Sequence, residues 1–90
     1  MNQLEILRES LGMCDEIILD ALLMRNRIVE DVMAYKEEHD IPVLQPEQET
    51  KQSEWLKERL KDKRHSKEVV DVFASIIHNS KKLQIGRAHV

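Results

Sequence analysis

The chain has 90 residues, of which 34% are charged and 3% aromatic, with two glycines, two prolines and a net charge of −3. So short a chain forms one small domain with a limited core. The scarcity of aromatic and turn residues excludes a β-sandwich or barrel and favours long helices. Charges of both signs are interspersed, which excludes the basic stripe of a nucleic-acid binder, and no apolar run reaches the length of a membrane span.

The first element is expected from about residue 3 to about residue 38. Positions 4, 7, 11, 14, 18, 21, 25, 28, 32 and 35 are Leu, Leu, Leu, Cys, Ile, Ala, Arg, Ile, Val and Tyr, a heptad seam with steps of three and four. No proline interrupts it, and Gly12 lies off the seam. Such a helix is ~50 Å long, more than the diameter of a 90-residue globule. It must pack against a second chain or stay largely naked. Cys14 in the seam reads as a small buried hydrophobe. As the lone cysteine it forms no internal disulfide, and with no secretion signal apparent the expected compartment is the cytoplasm.

"HDIPVLQPEQE" then breaks the pattern. Ile41 precedes Pro42 and is biased to extended geometry, so the first helix should stop before it. Pro46 suits the first turn of a second helix, with Glu47 and Glu49 favourable at its positive end and Leu56 and Leu60 forming the apolar stripe. "KDKRHS" is a polar turn, with Ser66 the expected N-cap of a third helix that carries Val69, Val70, Phe73, Ile76 and Ile77 on one side. The domain is expected over residues 1–84. Residues 85–90 are expected to break the helix at Gly86 and to form a disordered or appended tail. The fold class is all-α, three helices with a very long first one.

Several polar residues fall on inward faces. Arg25 and Lys36 are eleven residues apart, about 20° in phase and roughly 16 Å along the axis, so long side chains leaning together could hold a small molecule. Glu49 shares the face of Leu56 and Leu60, while Ser80 and Gln84 extend the face of Phe73 and Ile77. Each has a plain structural reading: Arg25 as a register residue or ion pair, Lys36 and Glu49 as charges suited to helix ends, Gln84 as frayed. Their joint placement points instead to one shared polar pocket. Arg8 is about 100° and ~25 Å away from Arg25, so it can reach only a partner's pocket or pair on the surface with Glu5 or Glu9. His39, His65, His78 and His89 lack ligand spacing on one face, so no metal site is expected.

The stretch "LRESLGMCDEIILDALLMRNRIVEDVMAYKEEHDIPV" resembles the start of the all-helical chorismate mutases, with an early Arg, an "LL…R" segment, a "YK" helix end and then "PV". The likeness runs without a gap from Leu7 through Val43 and resumes at "QE" and at "FASIIHNSKKLQ". It implies an intertwined helical homodimer with two active sites, each lined by both long helices. It implies that chorismate is the substrate, with no cofactor. Arg25 would bind one carboxylate and Arg8 of the other chain the second. Lys36 and Gln84 would bond the ether oxygen, Glu49 the ring hydroxyl, and Ser80 would line the pocket. Gln45 and Gln48 depart from the family pattern, which has Asp and Arg at these positions; both charges of an opposite pair are absent, so turnover should be lower. Two readings stay open beside it: an isochorismate-pyruvate lyase on the same scaffold, and a non-catalytic helical dimerisation module. Relatives are also fused to other enzymes of aromatic amino-acid synthesis, which leaves fusion and feedback control open.

Overall fold

The computed structural model describes residues 2–88, with the backbone alone at 87 and 88. Asn2 starts α1 (Gln3–Glu38), its side-chain oxygen accepting the Glu5 N–H at 2.9 Å. Glu5 in the first turn and Lys36 in the last complement the helix dipole. The helix ends in a Schellman turn: Asp40 takes a left-handed φ of 54°, and the Ile41 N–H reaches back 2.9 Å to the Lys36 carbonyl. That reversal, followed by Pro42, carries the chain back along the end of α1.

Pro46 opens α2 (Pro46–Leu60), as its fixed φ allows. Gln45 precedes it in extended conformation and makes no side-chain cap, which leaves its amide available. After a turn with left-handed φ at Asp62 and His65, α3 runs over Ser66–Ala88. Ser66 is therefore the first helical residue, not the cap before it; the Val69 N–H bonds the His65 carbonyl instead. Nor does the helix break at Gly86, where a side chain would meet open space and no close approach requires glycine. Continuation of the i→i−4 ladder costs about 1 kcal/mol at a glycine, too little to end a helix. Residues 89 and 90 of the expected tail lie outside the described residues.

Among the described residues the three helices form no strand and bury few side chains: Met33 and Leu56 within the apolar core, with Phe73, Ile76 and Ile77 half-buried around them. Trp55 meets Phe73 edge-on, ring centroids 6.2 Å apart, and so joins α2 to α3.

Two faces of α1 must be distinguished. Leu22, Arg25, Val29, Met33 and Lys36 turn toward α2 and α3 and are at least half-covered. The heptad seam lies about 80° around the helix, and Leu4, Leu7, Leu11, Ile18, Ile28, Val32 and Tyr35 are all exposed along it. Cys14 is exposed with them, so its expected burial does not occur within one chain. Val69 and Val70 of α3 are likewise open. The chain measures 56 × 28 × 16 Å with a radius of gyration of 16.8 Å, against ~12 Å for a compact chain of this length. Its accessible surface is 7853 Å², where a folded monomer of this mass has ~5,500 Å².

Candidate functional site

Where α1, the loop after it, α2 and α3 converge, a cavity of about 360 Å³ opens, within the range of small-molecule sites. Seven of the eight residues singled out from the sequence line it: Arg25, Lys36, Gln45, Gln48, Glu49, Ser80 and Gln84. Val29, Val32, Val43, Leu44 and Ile77 supply its apolar wall, and Gln52 a further amide. Gln52 was missed, although it follows Gln48 and Glu49 at the helical spacings of four and three that would have placed it on their face.

Arg25 is held from α3. Its Nη1 donates to the Ser80 hydroxyl, which in turn donates to the Ile76 carbonyl at 3.0 Å. Ser80 is 7% exposed, so the guanidinium rests against a buried, fully bonded hydroxyl and keeps other N–H groups for a ligand. The fork geometry of those groups suits a carboxylate.

Lys36 is held from both sides. Its Nζ donates to the Val43 carbonyl at 2.7 Å and to Gln84 Oε1 at 3.2 Å. The Schellman turn and Pro42 are what bring Val43 within reach. Two of three ammonium donors are thus used, and one remains. Because Gln84 accepts through its oxygen, its NH₂ is left to donate. The ammonium and the amide together form a pair of donors for one oxygen atom.

Glu49, in the first turn of α2, pairs with Lys81 of α3, Nζ to Oε1 2.6 Å. Lys81 was also missed, because in sequence it reads as an ordinary solvated charge. Gln45 and Gln48 are exposed at the rim, and the Gln48 N–H closes the first turn on the Gln45 carbonyl at 3.0 Å.

Arg8 is not part of this cavity. It is exposed in the first turns of α1, ~25 Å along the axis from Arg25. Among the described residues it makes no ion pair with Glu5 or Glu9. No three His, Cys, Asp or Glu side chains of the described residues come together as metal ligands, and no described helix is long and apolar enough to cross a membrane.

The cavity therefore offers two fixed cations, one carboxylate and several amide and hydroxyl groups on an apolar wall. Among the described lining residues it pairs no nucleophile with a base. Such a site can bind an anion, fix its conformation and stabilise charge that develops on an oxygen. The family model for chorismate mutase type II matches residues 7–85. No curated protein and no solved structure gives a significant match.

Proposed function

Since the chain belongs to the chorismate mutase type II family, we propose that it rearranges chorismate to prephenate, a step of phenylalanine and tyrosine synthesis, in the cytoplasm. The observation that carries the reading is the convergence of Arg25, Lys36 and Gln84 on one cavity with Glu49 and Ser80. The reaction is a unimolecular [3,3] shift in which one C–O bond breaks as one C–C bond forms. It needs no nucleophile, no base and no cofactor. What it needs is a chair-like conformer and stabilisation of the ether oxygen.

Arg25 binds one carboxylate of the substrate, steadied by Ser80. Lys36 and the Gln84 NH₂ bond the ether oxygen, which gains negative charge as its bond to the ring breaks. Those two bonds are stronger in the transition state than in the ground state, and only such differential contacts lower the barrier. Glu49 accepts the ring hydroxyl, and Gln45 and Gln48 close the rim.

The second carboxylate requires another cation, and here the second copy enters. The surplus of roughly 2,400 Å² over a compact monomer is of the size that obligate homodimers cover. The exposed apolar side chains along the seam of α1, from Leu4 to Tyr35, would supply part of that area. Two long helices packed antiparallel through that seam would bring Arg8 of the partner toward the cavity. This supports an intertwined homodimer with shared active sites.

Purified protein incubated separately with chorismate and isochorismate, with products resolved by chromatography, tests the reading. Prephenate from chorismate without pyruvate is expected. Pyruvate from isochorismate as main product would move the assignment to the lyase. Turnover of neither by a folded dimer would leave a dimerisation module.

A further inference from the structure

Glu49 is the lone carboxylate among the described residues that line the cavity, against the two cations Arg25 and Lys36. That lining carries a surplus of one positive charge, which the partner's Arg8 proposed above would raise to two, and the ligand proposed above is a dianion. An unpaired Glu49 would repel it. The ammonium of Lys81 lies 2.6 Å from Glu49 Oε1, spanning from α3 to α2 at the cavity's edge. Lys81 sits four residues after Ile77 and three before Gln84, both lining residues, so it shares their face of α3. Ser80, its neighbour in the chain, is anchored to Arg25.

We propose that Lys81 is a positioning residue of the site: it offsets the local repulsion between Glu49 and a dicarboxylate ligand, and it engages one carboxylate oxygen so that the other is presented to the ligand's hydroxyl. Lys81 itself does not line the cavity and acts through Glu49. The assignment rests on the dianion reading of the site. It differs from a plain surface ion pair between half-exposed side chains, which would influence stability slightly and ligand binding not at all.

The test combines Lys81→Gln, Lys81→Arg, Glu49→Gln and the Lys81→Gln/Glu49→Gln double variant. Two readouts are taken: steady-state turnover of chorismate, and calorimetric binding of a non-reactive bicyclic ether dicarboxylate shaped like the transition state. Lys81→Gln should raise KM and the Kd of the probe about fivefold, the upper end for a half-exposed pair, with kcat within about twofold. The loss should shrink at high salt, and Lys81→Arg should restore binding. With Gln at 49 the lysine relaxes into solvent, so Lys81→Gln should then cost less than about twofold.

Unchanged Kd in Lys81→Gln, or an equal loss in both backgrounds, would overturn the assignment while normal turnover left the proposed activity standing. A wild-type protein that binds the probe in a Lys81-dependent way yet does not convert chorismate would do the reverse. Absence of probe binding by the wild type would overturn both.

Discussion

Lys36→Ala, combined with Gln84→Ala, probes how the two donors proposed for the ether oxygen depend on each other. Lys36 Nζ bonds the Val43 carbonyl at 2.7 Å and Gln84 Oε1 at 3.2 Å, so it fixes both the loop and the direction of the Gln84 amide. Losing one donor to a developing oxyanion costs about 10² to 10³ in kcat. Lys36→Ala removes that donor and releases Gln84, so the upper value, ~10³, is expected. Gln84→Ala removes one neutral donor and leaves the ammonium bound to Val43, for a loss of ~10². Independent donors would multiply to ~10⁵ in the double variant. Donors that act as a unit should stop near ~10³, a coupling of about 2.7 kcal/mol. The assay is the initial rate of chorismate consumption, with circular dichroism to verify the helices and sedimentation to compare the assembly state with that of the wild type. Losses that multiply in full would refute the account of Lys36 as the organiser of Gln84. A Lys36→Ala protein that turns over normally would refute its place at the reacting oxygen.

The other predictions address the remaining contacts. Ser80→Ala withdraws the buried acceptor of the Arg25 guanidinium and should raise KM about tenfold, the worth of a charge-assisted hydrogen bond, with a smaller change in kcat by steady-state kinetics. Arg8→Ala and Arg25→Ala should each be nearly inactive, yet regain turnover when mixed under conditions that exchange subunits, through hybrid dimers with one intact site. A mixture as inactive as its parents would rule out shared sites. Ile18→Asp alters a residue that is 55% exposed in the single chain, where a surface change costs within about 0.5 kcal/mol. A functional monomer would tolerate it; a dimer packed through the seam should dissociate and lose activity, as sedimentation and thermal unfolding at several concentrations would show.

Most of the architecture was legible because helix periodicity is a local property. The seam from Leu4 to Tyr35 announced α1, and Pro42 and Pro46 marked the break and the restart. Its destination was not legible, since one helix can bury two stripes and the sequence does not say which neighbour meets which. The stripe that buries Met33 is not the heptad seam. The heptad pattern drew attention to the stripe that a single chain leaves open. Lys81 escaped notice for a related reason: a lysine beside another lysine reads as solvated until a carboxylate from a different helix is brought to it. The lining residues fared better because each was a polar residue on an apolar face, an anomaly visible without partners. Arg25 shows why that anomaly is stable. It lies on the boundary between the two stripes of α1, so its stem can leave the seam while its guanidinium turns to Ser80 on the intrachain side. The charge need never be buried among a partner's apolar side chains. The same boundary position puts it where a cavity formed by one chain's three helices would open onto a second chain's long helix.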